Sequence, residues 1–486
     1  MAAKRHAKRK VRRVARRPLP KRDDQRRQAA RELAEELQRF LDESPSAYHA
    51  VARLEGLFKD AGFVSLPEDR PFRLKSGGKY LVNRHGSALV AFIPGSAPPS
   101  KAGFRMIGAH TDSPAFKLKP RPEIVTQGLV HLGVELYGSP IMATWTDRDL
   151  GLCGRVVLSP DGKRLETRLF MSRRPLVGMP NVAVHMNRTV NDDGLKLNPQ
   201  TQVTPILGAL PSGPAKGAAS SAATPAGGAG GAHAIPCGVL PEQNAVRFIL
   251  SKLLAVAPER IIDFDAYLYD TQPACFAGWD EEFILSGRLD DLAMCYAAAR
   301  ALCDVAAEPC SATRLIVCYD SEEIGSQTPE GARSNLLPQL LERIALASGE
   351  TREGYFAALA ASRLVSADNA HAAHPGFADR SEPQHAPRLN GGPVIKTHAS
   401  RAYATDGYAS AFFELACRRA GVPYQRFVNR SDAKSGSTIG SMTAAQLGVP
   451  TADVGCAQYA MHSIREMGGA YDPWYMTAAM RAFLRG

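Results

Sequence analysis

The sequence predicts an α/β protein, in which a layered α/β/α domain with a largely parallel central sheet is interrupted by an inserted β-rich domain. From Val246 to the C-terminus, helical patterns alternate with short apolar strands, an order typical of parallel sheets covered by helices. Between about Ala115 and Glu242 the pattern changes to short alternating segments separated by turn residues, which indicates antiparallel strands. A length of 486 residues also favours more than one domain.

The first 28 residues are strongly basic. They contain thirteen Lys or Arg and two Asp, so they account for the whole net charge of +11. Self-repulsion and a shortage of apolar residues predict a disordered tail over residues 1–28. Such a tail would bind RNA or an anionic surface through its charge, although a solvated extension is the simpler interpretation. A nucleic-acid partner would therefore depend on the tail alone.

Two helices open the folded part. Apolar residues recur at helical spacing from Asp24 to Phe40, and residues 44–46 (Ser-Pro-Ser) end that helix and begin a second one through Leu57. Apolar strands follow at residues 87–93 and 104–109.

The order of these patterns predicts where the two domains divide. The layered domain is expected at residues 29–114 and 243–486, and the inserted β-rich domain at 115–242. Within the insert, residues 211–235 are rich in Ala, Gly, Ser and Pro and predict a flexible loop.

The composition indicates the redox state of the compartment and whether the chain crosses a membrane. The nine cysteines include no Cys-x-x-Cys pair, which favours a reducing compartment, and we expect a cytoplasmic protein. No apolar run approaches the ~20 residues that a membrane-spanning helix needs, so no membrane association is expected.

The strand at residues 104–109 ends on His110, with Asp112 two residues further on. Alternate residues of an extended segment face the same side, so both side chains can reach one pocket. Asp112 would then orient the His110 imidazole as a metal ligand. A His-x-Asp sequence is a weak signal alone, and its interpretation depends on the other candidate ligands.

Further candidate ligands follow at predicted strand ends or in the loops after them. They are Asp290, Glu323, Asp368 and His462. With His110 they form a set of nitrogen and oxygen donors that suits two Zn²⁺, Mn²⁺ or Co²⁺ ions in a hydrolytic site. Adjacent residues of an extended segment point in opposite directions, so Glu323 can bind metal while Glu322 acts as the general base.

Seven motifs resemble, in order, those of the aspartyl aminopeptidase family, which also includes the vacuolar aminopeptidases. They are Gly108-Ala109-His110-Thr111-Asp112-Ser113-Pro114, Asp270-Thr271-Gln272-Pro273, Arg288-Leu289-Asp290, Glu322-Glu323-Ile324-Gly325-Ser326, Ser366-Ala367-Asp368 with Ala370-His371 and His374-Pro375, Gly392-Pro393-Val394-Ile395-Lys396, and Met461-His462-Ser463-Ile464-Arg465-Glu466. The resemblance extends from about Ala29 to the C-terminus and implies a di-zinc exopeptidase fold.

The resemblance also implies a role for each candidate residue. His110 and Asp368 would complete one zinc site and Glu323 and His462 the other, with Asp290 bridging, Glu322 as catalytic base and Asp112 as the partner of His110. His185 would reach the active site of a neighbouring subunit, and His371 and Lys396 would line the substrate pocket. The insert would be a dimerisation domain in a shell of twelve subunits. Asp291 stands where the family often has Asn, and could compete with Asp290 as the bridging ligand.

These observations predict a metal-dependent aminopeptidase that acts on peptides. Lys396 ends an apolar run, so its ammonium could meet an acidic substrate side chain and favour N-terminal Asp or Glu. A neutral or hydrophobic preference is the alternative. A carboxypeptidase or deacylase, and a non-catalytic binding protein, are more distant, because a complete ligand set without metal would suffer like-charge repulsion.

Overall fold

The computed structural model describes residues 21–210 and 240–486. Residues 1–20 of the predicted tail and the predicted loop at 211–235 lie outside the described residues. No helix in the described ranges is both long and apolar enough to cross a membrane.

Helices and strands alternate along most of the chain. The α-helices are α1 (Lys21–Asp42), α2 (Ala47–Asp60), α3 (Pro99–Ala102), α4 (Val190–Asp193), α5 (Ala245–Leu254), α6 (Leu289–Asp304), α7 (Leu336–Ala347), α8 (Arg352–Ala360), α9 (Gly407–Ala420), α10 (Ile439–Leu447) and α11 (Asp472–Arg485). Short 3-10 helices lie at Met142–Trp145, Pro258–Arg260, Glu322–Ile324 and Pro375–Arg380.

The strands of the described residues form three sheets. They are β1 (Val64–Ser65), β2 (Tyr80–Arg84), β3 (Ala88–Ile93), β4 (Phe104–His110), β5 (Ala115–Thr126), β6 (Leu129–Tyr137), β7 (Leu150–Leu158), β8 (Glu166–Met171), β9 (Ile206–Ala209), β10 (Ile261–Asp270), β11 (Cys275–Ala277), β12 (Phe283–Ser286), β13 (Thr313–Tyr319), β14 (Arg363–Ala367), β15 (Ala370–His371), β16 (Val394–Lys396), β17 (Gln425–Phe427), β18 (Thr451–Gly455), β19 (Ala457–Tyr459) and β20 (Glu466–Gly469).

The largest sheet has nine strands in the order β1-β2-β3-β13-β4-β14-β18-β16-β17. Its four central strands, β13, β4, β14 and β18, are all parallel to one another. The pairs β2-β3, β3-β13 and β16-β18 are antiparallel. The predicted α/β class with a largely parallel central sheet is confirmed.

Both faces of this sheet are covered by helices. Ile107 and Ile316 point to a core that they share with α1, α2, α6, α9 and α11. Their strand neighbours Met106 and Leu315 point to the opposite core, which includes α7, α8 and α10. Side chains alternate across a strand, so the continuous apolar runs of β4 and β13 supply both cores at once.

The second sheet corresponds to the predicted insert and has six strands in the order β8-β7-β10-β5-β6-β9. All its named strand pairs are antiparallel. Its core includes Val246 and Leu250 of α5, together with Leu268 of β10. This six-stranded unit therefore extends to Asp270, beyond the expected boundary at residue 242, because β10 pairs between β5 and β7.

The start of the first helix also corrects an expectation. Residues 1–28 were predicted to be disordered, but α1 begins at Lys21. Gln28 and Arg31 contact Glu32 and Glu35 one turn further along, with side-chain distances of 2.8 and 3.1 Å. These i, i+4 pairs and the buried Leu37 stabilise a helix whose first turns are basic.

Candidate metal centre and active site

The central parallel strands bring the predicted ligands to one edge of the large sheet. His110 is the last residue of β4, Glu322 and Glu323 follow β13, and Asp368 directly follows β14. Parallel strands end at the same edge, so residues from distant parts of the sequence meet there. His462 approaches from the loop between β19 and β20 of the five-stranded sheet.

Asp290, near the start of α6, lies between the two histidines. Its Oδ1 is 3.7 Å from His110 Nε2, and its Oδ2 is 3.6 Å from His462 Nε2. Glu323 Oε2 lies 3.3 Å from the same His462 nitrogen. One carboxylate thus faces two imidazole nitrogens with separate oxygens, an arrangement suited to bridging two cations.

Within residues 21–210 and 240–486, three overlapping groups of side chains have ligand atoms within 4.8 Å of one another. They are His110 with Asp290, Asp291 and Asp368, His110 with Glu322 and Glu323, and Asp290 with Glu323 and His462. The predicted metal-type residues are therefore brought together, and Asp291 joins them. Its Oδ2 accepts a hydrogen bond from the His110 backbone nitrogen at 3.1 Å.

Buried oxygens without hydrogen-bond partners test whether these residues fit metal ions. Asp290 Oδ1, Asp291 Oδ1 and Glu323 Oε1 are all buried and accept no hydrogen bond in the described structure. A buried carboxylate oxygen without a donor is costly, and a cation would remove that cost. The mixture of imidazole and carboxylate donors also suits Zn²⁺, Mn²⁺ or Co²⁺.

Asp112 connects the two sides of the centre. His110 Nδ1 lies 3.1 Å from the Asp112 backbone oxygen and 3.4 Å from Asp112 Oδ1. The same carboxylate accepts hydrogen bonds at 3.1 Å from the backbone nitrogens of Glu322 and Glu323. Asp112 therefore contacts His110 and also fixes the turn that presents both glutamates.

Burial governs the acid–base properties of the two glutamates. It raises the pKa of Glu322 to about 8, against the opposing effect of His110 and with help from Asp368. Burial likewise raises the pKa of Glu323 to about 7, against the hydrogen bond with His462. Burial thus shifts the pKa of both carboxyl groups well above that of an exposed glutamate.

The sequence motifs include residues whose positions here were not predicted. Glu466 is buried, and its two oxygens accept hydrogen bonds from the backbone nitrogens of Asp290 and His462 at 3.1 and 2.9 Å. Buried Asn369 donates to the Leu289 backbone oxygen at 2.7 Å. The sequence does show a glutamate four residues after the predicted ligand His462, but the partner Asp290 is distant in sequence.

Lys396, predicted to meet an acidic substrate side chain, lies buried behind Asp368. The residue is 2% exposed, and its Nζ donates to the backbone oxygens of Asp368 and Asn369 at 2.8 and 3.1 Å. The Nζ also lies 3.5 Å from Asp368 Oδ1. Two of the three N–H groups of the ammonium therefore have backbone acceptors, and its charge lies beside the Asp368 carboxylate.

The remaining predicted substrate residues differ in placement. His371 is exposed on β15, and its ring centroid lies 6.2 Å from that of Phe427. The residue keeps contact with solvent, but protein atoms packed around its ring lower the pKa of His371, and the Lys396 charge lowers it further. His185 lies in an exposed turn of the six-stranded unit and belongs to none of the three ligand groups.

Comparison with known proteins identifies the family. Residues 40–484 match the family described as Aminopeptidase I zinc metalloprotease (M18). The chain belongs to the M18 peptidase family. It is therefore a zinc metalloprotease of the aminopeptidase type, as the sequence motifs predicted.

Individual relatives cover most of this M18 chain. It is 41% identical over 446 residues to a probable M18 family aminopeptidase 2 of Clostridium acetobutylicum, covering 91% of this chain and 96% of the relative. It is 40% identical over 448 residues to the protein of the same description from Stutzerimonas stutzeri, with the same two coverages.

Solved structures share the fold. A cryo-EM structure of the Ape4 and Nbr1 complex matches with a TM-score of 0.85 and 32% identity, covering 94% of this chain and 86% of that one. A structure of the S. cerevisiae mApe1 dodecamer matches with a TM-score of 0.77 and 27% identity, covering 94% of this chain and 97% of that one.

Proposed function

We propose that this protein is a two-metal aminopeptidase that removes N-terminal residues from peptides. The observation that supports this most directly is the Asp290 carboxylate, whose two oxygens face the Nε2 atoms of His110 and His462 at 3.7 and 3.6 Å. One ion would be held by His110 and Asp368, and the other by Glu323 and His462, with Asp290 shared. Zn²⁺ is the expected ion, and Mn²⁺ or Co²⁺ would fit the same donors.

In the proposed reaction, two bound cations would lower the pKa of a water molecule and polarise the scissile carbonyl. Glu322 takes the proton of the attacking water and returns it to the leaving amine. Glu323 lies on the same short turn but faces His462. Asp112 keeps the two glutamates in this arrangement through their backbone nitrogens.

The first candidate for the preferred N-terminal residue is an acidic one. His371 is exposed beside the metal centre, and a neutral imidazole can donate an N–H to a substrate carboxylate. The buried Lys396 ammonium would add positive potential from behind Asp368 without direct contact. A neutral or hydrophobic preference is the second candidate, because the Lys396 N–H groups have protein acceptors.

We also propose that the active enzyme is a homo-oligomer, assembled from dimers into a dodecamer. A related chain forms the S. cerevisiae mApe1 dodecamer. The six-stranded unit would provide the dimer contacts, since its segment at 182–186 exposes Val182, Val184 and Met186 around His185. His185 would then contact substrate in the partner's active site.

The proposed location is the cytoplasm. All eight cysteines in the described residues are free thiols, which suits a reducing compartment.

Hydrolysis of aminoacyl p-nitroanilides tests the proposed function. Metal-free protein should be inactive, and Zn²⁺, Mn²⁺ or Co²⁺ should restore cleavage of Asp, Glu or Leu p-nitroanilide. The matched N-acetyl derivatives should resist cleavage, because an aminopeptidase requires a free N-terminal amine. Cleavage of the acetylated substrates, or activity after complete metal removal, would contradict the proposal. Faster cleavage of Leu than of Asp would select the neutral candidate.

A further inference from the structure

A five-residue segment of the six-stranded unit lies against the metal centre. It comprises residues 137–141, at the carboxyl end of β6 and in the turn that follows. This segment, called the β6 brace below, contacts the side chains of Asp112 and His462 and passes close to Glu323. Asp112 and Glu323 lie in the segments that follow β4 and β13 of the nine-stranded sheet, and His462 lies in the β19–β20 loop.

The first contact is made by Tyr137. Its hydroxyl donates to Asp112 Oδ2 at 2.9 Å, beside the bond that this oxygen accepts from the Glu323 backbone nitrogen. Tyr267 packs edge-on against the Tyr137 ring, with centroids 5.8 Å apart. The hydroxyl position is therefore fixed by packing within the six-stranded unit.

The other contacts involve the backbone of the brace. The Ser139 backbone oxygen lies 3.1 Å from His462 Nδ1, and the Ile141 backbone nitrogen donates to the His462 backbone oxygen at 2.9 Å. A Cβ atom at Gly138 would lie 3.0 Å from Glu323 Cβ, and Gly138 has a φ of +68°. Glycine at 138 therefore allows the brace to approach Glu323 closely.

We propose that the β6 brace positions ligands of both metal ions, with Tyr137 as a positioning residue supplied by the six-stranded unit. This inference rests on the proposed two-metal function. Through Asp112 the brace orients His110, and through Ser139 it orients the His462 ring. A group that hydrogen-bonds to a metal ligand holds that ligand in the orientation that the metal needs. Removal of such a group typically lowers metal affinity by about 10–100-fold. The unit proposed to mediate assembly would therefore also determine how tightly metal is held.

The first experiment compares Tyr137→Phe with Tyr269→Phe. Each substitution removes one hydroxyl from the same sheet, but the Tyr269 hydroxyl accepts from the Arg173 backbone nitrogen instead of contacting the metal centre. Co²⁺ is the probe, and its dissociation constant and visible absorption spectrum are measured for each full-length protein.

Tyr137→Phe should weaken Co²⁺ binding by about tenfold or more and change the spectrum. Tyr269→Phe should change the Co²⁺ affinity by less than about threefold and keep the wild-type spectrum. This should hold even if the Tm of the metal-free protein falls as much in Tyr269→Phe as in Tyr137→Phe. Equal effects of the two variants on Co²⁺ binding would overturn the proposal.

A second pair of variants keeps the proposal testable if Tyr137→Phe folds poorly. Gly138→Ala and Gly128→Ala both place a side chain at positive φ, +68° and +75°, at opposite ends of β6. A Cβ at Gly128 meets nothing within 4 Å, whereas one at Gly138 meets Glu323. Only Gly138→Ala should weaken Co²⁺ binding, and equal losses in both variants would argue against the brace.

Measurements on the wild-type protein distinguish a failure of the proposed function from a failure of the proposed role of the β6 brace. If it binds fewer than two Co²⁺ ions per subunit, or binds them without gaining peptidase activity, the proposed function fails. If it binds two ions and cleaves substrate, but Tyr137→Phe and Gly138→Ala match their controls, the brace alone is wrong.

Discussion

Replacing Lys396 with Met would determine whether this lysine recognises substrate or supports a metal ligand. The side chain is 2% exposed, and its ammonium lies 3.5 Å from Asp368 Oδ1. Two unit charges at that separation attract by about 5 kcal/mol at an effective dielectric constant of about 20. Methionine fills similar space but provides neither the charge nor the N–H groups donated to the Asp368 and Asn369 carbonyls.

Breaking a buried ion pair at one partner typically costs about 3–5 kcal/mol, because the remaining charge stays buried and unpaired. We expect Lys396→Met to lower the free energy of unfolding of the metal-free protein by that amount. Since Asp368 would lose its fixed position, kcat/KM should fall at least about tenfold for Asp and Leu p-nitroanilides alike. The exposed Lys101→Met, on α3, should change neither quantity.

Urea unfolding and steady-state kinetics on the two substrates measure both effects. A loss restricted to the acidic substrate, with unchanged stability, would refute this reasoning and restore direct recognition of an acidic side chain by Lys396. Equal losses on both substrates would leave His371 as the remaining candidate contact among the predicted pocket residues.

Three further predictions concern the base, the assembly and pH. Glu322→Gln should keep both metal ions, as measured by elemental analysis, but its kcat should fall at least ~10²-fold. Glu323→Gln should instead lose metal. If Glu322→Gln lost metal and Glu323→Gln kept it, the roles of the two glutamates would be reversed. Subunit exchange between inactive His185→Ala and Glu322→Gln proteins should restore some activity. If no activity returned although exchange was demonstrated, His185 would not act in the active site of a neighbouring subunit. Burial and the nearby Arg173 and Arg288 charges lower the pKa of His49 from 6.5 to about 4. The neutral, buried His49 side chain therefore contributes fully to the free energy of unfolding above pH 6.5, and this contribution is lost as pH falls towards 4. His49→Gln should lose less unfolding free energy than wild type between pH 7 and 5, and an equal loss would contradict the shift.

The sequence predicted the strand that presents His110, because an apolar run that ends on a histidine can be read locally. Lys396 was also predicted to end an apolar run, and it is the last residue of β16. The sequence did not reveal the partners of Lys396, since Asp368 lies 28 residues away and its backbone oxygen is the acceptor. Backbone acceptors have no residue type to recognise, so a buried lysine and a substrate-binding lysine look alike.

The boundary of the six-stranded unit was missed for a similar reason. Helix α5 has the amphipathic pattern of any helix that covers a sheet, and the core that it shares with Leu132 and Leu268 brings together residues that are distant in sequence. Strand β10 inserts between β5 and β7, which precede it by more than a hundred residues. Pairing of this kind depends on topology and not on a local pattern.

Glu466 connects the two proposed metal sites through one buried group. Its carboxylate accepts hydrogen bonds from the backbone nitrogens of Asp290 and His462. These two proposed ligands come from distant parts of the sequence, and partners that hold ligands in place determine how tightly a metal is bound. Because Asp290 is the proposed shared ligand, a change at Glu466 would affect both ions at once.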